Sequence, residues 1–566
     1  MIEHRAPISG VAAFRGQFVA TAGYDNQVIL WDAKLKSPLA LAAHDHLANQ
    51  VAFSPDGRFL LSASSDHTAR LWSLPDLKLK AVFSDQLDDV EMAVFHPTRD
   101  YVATASRDHR VRVYGFDGRI QRCFEGHKAD AISVAWSVDG EELISSSDDG
   151  TVKRWSLATG QLLEDIDLGG VETDTLAVTR EGVIYAGNDD GDIVVIIAGN
   201  TSRHPAHASG IKRLVYEADT GQLVSLSYDR TLRVWQAAGA ELRPLAQSNM
   251  PAEIWPRSCA FIDKQTLAFA TFGSSYAAYH IDTDTWNLEG VNPTQGVNAV
   301  TMLTGKRLTI GDSGILNIDG LPSTQLGSLC NFLTPAGGRV FTGGQMGCVM
   351  DALTGDILHQ HRSPLNCGAA FDRAGVPHVV IGTYTGEGLV FSVAKDGSVR
   401  HEATLPLHTN AVKSVATSDG TIFSVCADTA ASWFSIADFS EAGRIRHAHD
   451  RIANGCAALQ GGRFVSISRD LKLRVWDQLK TATVLDTPHE HSIKCVSISS
   501  DGRHVATGSY SGVVAIYDLT LGKWVTVNRP TTAGISSLFY DTDSARFLAG
   551  SYDGHVYEIE IQPVAA

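Results

Sequence analysis

Short apolar runs, each closed by a tight-turn signal, fill this chain from end to end. Val51–Phe53 leads into Ser54-Pro55-Asp56-Gly57, Ile132–Trp136 into Ser137-Val138-Asp139-Gly140, and Cys495–Ile498 into Ser499-Ser500-Asp501-Gly502. Asp-Gly between alternating runs is a hairpin signal. A run rich in small residues follows, such as Phe59–Ser64 or His504–Ser509. Next come an aspartate turn, an alternating strand such as Thr151–Trp155 or Thr231–Trp235, and a more polar fourth strand such as Gly160–Ile166. No segment sustains the 3.6-residue apolar period of a helix. The pattern predicts an all-β chain of four-stranded sheets.

The turn aspartate sets the period. It stands six residues before a bulky side chain in Asp25/Trp31, Asp66/Trp72, Asp108/Tyr114, Asp149/Trp155, Asp190/Ile196, Asp229/Trp235, Asp428/Phe434, Asp470/Trp476 and Asp553/Ile559. With weaker copies near 273, 345 and 385, and with Asp312 and Ser511 in register, the positions mark fourteen units. Their interval of about 40 residues is the mark of a repeat architecture.

These repeats resemble the WD40 family. Trp31-Asp32 and Trp476-Asp477 keep its dipeptide and Gly126-His127 its Gly-His opening, with units 7–10 the weakest copies. The resemblance implies radially stacked blades. Fourteen units then mean two seven-bladed propellers, over 1–290 and 291–566, with 284–293 as connector. The last unit ends on its third strand, His555–Ile561, so Met1–His4 is a candidate to pair there and close one ring through both termini. The resemblance also implies a polar network of histidine, serine, aspartate and tryptophan in each blade. By position it uses His44, Ser64, Asp66 and Trp72; His127, Ser147, Asp149 and Trp155; His207, Ser227, Asp229 and Trp235; and His449, Ser468, Asp470 and Trp476. The residue before each turn aspartate faces a rim in this family. Tyr24, Arg107, Tyr228, Arg469, Tyr510 and Tyr552 stand there as candidate protein-binding residues, of types enriched in binding hot spots.

A chain of 566 residues exceeds one ordinary core and 44% hydrophobic content supports folding throughout. A formal net charge of −16 and a pI near 5.7 argue against a phosphate-binding surface, so no direct nucleic-acid contact is expected. Eight scattered cysteines without a C-x-x-C pair read as thiols of a reducing compartment. No apolar run nears the roughly 18 residues of a membrane span, and the start lacks a secretory signal, so a cytoplasmic protein is expected.

Candidate chemistry dissolves into the repeat. Gly311-Asp312-Ser313-Gly314 looks like a protease nucleophile segment but lies at a turn in register. Gly382–Gly388 is glycine-rich without a following lysine. His44-Asp45-His46, His447-Ala448-His449 and His489-Glu490-His491 each place one histidine in the network slot, so neither metal nor cofactor is expected. The acid pairs Asp88-Asp89, Asp148-Asp149 and Asp189-Asp190 fall mostly at turns. A propeller hydrolase or lactonase needs carboxylates and amides converging from the inner strands, which read as apolar and small. The favoured reading is a noncatalytic scaffold for protein or peptide partners. The alternatives are an actin-regulatory double propeller, a component of a prokaryotic sensing or AAA-type ATPase complex, and the propeller hydrolase.

Overall fold

The computed structural model describes residues 2–478 and 480–562. Among them there is no helix. There are fourteen antiparallel sheets, thirteen of four strands and the last of three, and each takes its strands in chain order. Sequence-adjacent strands pair because each loop is short. At the Asp139-Gly140 turn Gly140 has φ +73°, and a Cβ there would meet the His96 ring at 2.3 Å. Glycine is the residue that fits both demands.

The chain divides into two compact units, 1–294 and 295–566. Within each unit one sheet packs face to face on the next. A four-stranded sheet with two apolar faces needs a neighbour on each side. Ala103, Val111 and Val113 of the third sheet (90–125) thus share one core with Val134, Leu143 and Trp155 of the fourth (131–167). In the first unit the series returns on itself: Ile8, Val11, Val19 and Trp31 share a core with Ala268, Ala270 and Tyr276. The amide of Val11 donates to Ser258 Oγ at 3.0 Å. In the second unit Ser536 Oγ donates to Val297 O, and Val300 N to Ser537 Oγ at 3.3 Å.

Burial grades outward along each sheet. Phe59–Ser64 is buried except at its first residue, whereas Ile120–Glu125 is exposed except at Phe124. This gradation explains why the fourth strands look polar in the sequence. Ile315–Ile318 and Thr334–Ala336, in the weakest copies, shrink to four and three residues. At the N-terminus, the amide of His4 donates to Ser274 O at 3.0 Å, inside the first unit. Met1, the first residue of the segment expected to pair with the last sheet, lies outside the described residues, as do 563–566 of the second expected domain.

One irregularity recurs. The innermost strand of nearly every sheet slips register by one residue after its first position, as at Ala48/Gln50, Thr173/Thr175, Val412/Ser414 and Ile493/Cys495. Such a bulge re-aims the skipped side chain.

Candidate binding faces at the bulged strand ends

The polar network forms, with one correction. In the fourth sheet His127 Nδ1 lies 3.0 Å from Asp149 Oδ2, and Asp149 also accepts the amides of Lys128 and Thr151. The serine joining histidine to tryptophan is Ser145 rather than Ser147: His127 Nε2 lies 2.8 Å from Ser145 Oγ, which accepts the Trp155 indole N–H at 2.9 Å. Trp155 stands opposite Leu143 in the ladder, and its indole reaches diagonally to the next residue on that face. Ser147 instead accepts the amide of Asp149 and caps the turn. Ser62 and Ser225 replace Ser64 and Ser227 in the same way.

The twelfth sheet (453–486) departs further. His449 Nε2 meets Ser466, but its Nδ1 faces Thr429 O at 3.2 Å, while Arg474 holds Asp470 at 2.7 Å. Burial, together with the Arg474 charge, drives the His449 pKa down to about 4. Two further copies use threonine as the hub hydroxyl, and in the second Ser511 and Tyr517 stand where the aspartate and tryptophan would be. His4, Asp25, Thr21 and Trp31 form one, and His489 bonded to Thr507 at 2.8 Å belongs to the other. These networks tie histidine and tryptophan to one hydroxyl in the sheets that carry them.

The bulged residues do something else. In the first unit Ser9 Oγ donates to Ala48 O and Asn49 Nδ2 to Val90 O at 3.0 Å. In the second Asn298 donates to Cys330 O, Asn331 to Leu365 O, Asn366 to Val412 O and Asn454 to Ile493 O, at 2.7–3.2 Å. Each acceptor is the residue just before the next sheet's bulge position, so these side chains clasp neighbouring sheets together. The expectation that inner strands offer mainly apolar and small side chains is therefore corrected at their first turns, where amides gather. A single polar residue beside a slipped register is invisible in an apolar run.

Elsewhere the bulge positions carry charge. In the first unit Glu91 meets Arg107 at 2.5 Å and Arg257 at 3.2 Å, and Arg107 also meets Asp130 at 2.6 Å. Lys212 bridges Asp174 and Asp189 beneath the Tyr228 ring, 5.1 Å from its centroid. Burial works against the Arg257 guanidinium, yet Tyr24, Glu91 and Tyr228 around it raise its pKa. Tyr24 closes edge-on against Trp255 at 5.1 Å. Asp148 is pushed well above the carboxylate range by burial and by Glu172, Asp130 and Asp174, and burial lifts Asp189 to about 6 against the pull of Lys212.

The structure thus places Tyr24, Arg107 and Tyr228 around one ionic cluster in the first unit. In the second, Tyr510 and Tyr552 stack with ring centroids 6.3 Å apart, and Tyr552 borders a cavity lined by the bulge residues. Arg469 is set in its turn by a backbone bond to Ile452 O at 3.0 Å. Among the described residues two groups gather enough ligand atoms to hold a cation, His408/Cys426/Asp428 and His67/Asp88/Asp89. The first occupies its sheet's network slot, with Cys426 Sγ accepting the Asp428 amide as a serine does elsewhere.

The WD domain, G-beta repeat family model matches residues 1–32, 36–73, 78–115, 118–156, 200–236 and 482–518. Most matched stretches join the outer strand of one sheet to the three inner strands of the next. Similar proteins include transcription initiation factor TFIID subunit 5 of Caenorhabditis elegans, 29% identical over 35% of this chain and 30% of that protein. The transcriptional corepressor LEUNIG_HOMOLOG of Arabidopsis thaliana is 24% identical over 40% of this chain and 34% of its own length. A guanine nucleotide-binding protein subunit beta of Oryza sativa subsp. japonica is 24% identical over 40% of this chain and 67% of its own. The chain spans about a third of the first two relatives. The chain thus carries six recognised WD40 repeats, and the strand order is alike in every sheet.

Proposed function

We propose that this chain is a noncatalytic scaffold built as two seven-bladed propellers, each closed within its own unit, which binds protein or peptide partners at the bulged strand ends. Seven sheets per unit and the Val11–Ser258 and Ser536–Val297 bonds support self-contained rings over one closed through paired termini. The observation that carries the binding role is the gathering of tyrosines and cations at bulge and turn positions. Tyr24, Arg107, Lys212 and Tyr228 do so in one unit, and Lys413, Lys494, Tyr510 and Tyr552 in the other. Large side chains with a polar handle suit partner recognition. Two of the relatives are themselves named as subunits. All eight cysteines are free thiols, which favours a reducing, cytoplasmic setting.

The test is affinity purification of wild-type protein and of the Arg469→Ala/Tyr552→Ala variant, with melting curves alongside. A partner recovered by wild type and lost by an equally stable variant supports the reading. Equal recovery by both would remove this surface from it.

A further inference from the structure

The bulge residues of the second unit line a cavity of about 440 Å³, within the size range of ligand pockets. Lys413 and Lys494 both belong to its wall, and no aspartate or glutamate does, in a chain of net charge −16. Asp312 Oδ1 accepts from Asn298 Nδ2 of the wall at 3.0 Å. Cys367, Cys456 and Cys495 also line the cavity. Burial lifts the Cys367 and Cys495 thiols to about 12 and raises Cys456 as well, so these groups stay neutral. The charges of both lysines act on Cys367, which places the two ammonium groups over the same pocket.

The amides of Asn331, Asn366 and Asn454 spend their donors on neighbouring carbonyls and fix the shape of the opening. Lys413 and Lys494 stand at two junctions where other sheets place an asparagine, and the Lys413 ammonium lies 5.3 Å from the Tyr384 ring centroid. Phe332, Val415 and Leu538 add apolar wall between the polar positions. No arginine fork lines the cavity, and a lysine ammonium is a point charge suited to a single carboxylate oxygen.

We propose that this cavity receives a carboxylate-bearing peptide segment, an Asp or Glu side chain or a C-terminal carboxylate of a partner protein, with Lys494 and Lys413 as its charge contacts. The proposal rests on the scaffold reading above and adds the chemistry of the partner.

The experiment is fluorescence anisotropy of labelled octaglutamate and octaglutamine with the full chain, repeated with inorganic phosphate as competitor. Saturable octaglutamate binding, at least about tenfold tighter than octaglutamine and not displaced by phosphate, is expected. Lys494→Gln should weaken it about fivefold or more, with Lys494→Arg retaining most of it and the exposed-strand control Lys523→Gln unchanged. Should Lys494→Gln fold poorly, Lys413→Gln supplies the same comparison. Equal affinity for both peptides, or wild-type affinity in both lysine variants, overturns the proposal. Displacement by phosphate alone also overturns it, in favour of an inorganic anion. If partner recovery still depends on Arg469 and Tyr552 while the lysine variants bind normally, the scaffold stands and only the acidic-partner chemistry fails.

Discussion

The two units use one backbone device and fill part of it with different chemistry. Both carry clasping serine and asparagine, Ser9 and Asn49 in the first, but three first-unit bulge positions hold Glu91, Asp174 and Lys212, each met by a partner of opposite sign inside that unit. At those of the second stand Asn298, Asn366, Asn454, Ser536, Lys413 and Lys494, around a cavity whose wall holds no carboxylate. The sheets beneath are alike, so stacking tolerates either set. The bulge residue is thus where a repeat can acquire a specific role without disturbing its packing. A position relieved of core duty by one slipped register is free to diverge.

The largest expected effect breaks the ionic side of this contrast. Lys212→Met leaves Asp174 and Asp189 facing each other in a mostly buried site, and should lower stability by about 3–5 kcal/mol. Denaturant unfolding checks it, and a loss below about 1 kcal/mol would show that the acids re-solvate freely.

Removing a network carboxylate is next. Asp149→Ala strands His127 Nδ1 and the amides of Lys128 and Thr151, at an expected cost of about 1–3 kcal/mol. An unchanged urea midpoint would count against the network as a source of stability.

Acidification should bear on the second unit through His449 and His489, both lowered to about 4 from an ordinary 6.5, chiefly by burial. Between those values the unfolded chain binds more protons than the folded one. Stability is therefore full above pH 6.5 and falls as pH drops towards 4. A loss of about 2 kcal/mol per histidine between pH 7 and pH 5 is expected, and His489→Gln should flatten that slope. His44 in the first unit shifts in the same direction, so that unit shares part of the loss.

The smallest effect has the opposite sign. Asp148→Asn removes a carboxylate crowded by Glu172, Asp130 and Asp174, and should raise stability by about 1 kcal/mol at pH 8. Because the folded pKa is raised, the gain should shrink as pH falls and Asp148 takes up its proton. A melting temperature unmoved at pH 8 would mean that Arg107 already offsets the crowding.

Much of this was legible in the amino-acid order. Turn aspartates, hairpin signals and the missing helical period give the strand sequence of every sheet, because local pairing leaves few alternatives. His127, Asp149 and Trp155 could be matched by spacing alone. The hub serine could not: Ser145 and Ser147 sit on one strand face, and only the diagonal reach of the indole selects between them. Thr21 supplies the hub hydroxyl under another letter, and around Thr507 the aspartate and tryptophan are replaced as well, by Ser511 and Tyr517. Asn298, Asn366 and Lys494 were harder still, since a period-two reading has no place for a residue that the ladder skips.

The indole of Trp155 can donate but never accept. The Asp149 carboxylate at the other end can accept but never donate, so a neutral His127 ring carries its hydrogen on Nδ1, its Nε2 takes the Ser145 hydroxyl hydrogen, and Ser145 Oγ takes that of the indole. A giver at one end and a taker at the other align four side chains in a single one-way relay. Asp149→Asn would let the relay run in either sense, and nitrogen-15 spectra of His127 would register the mixture.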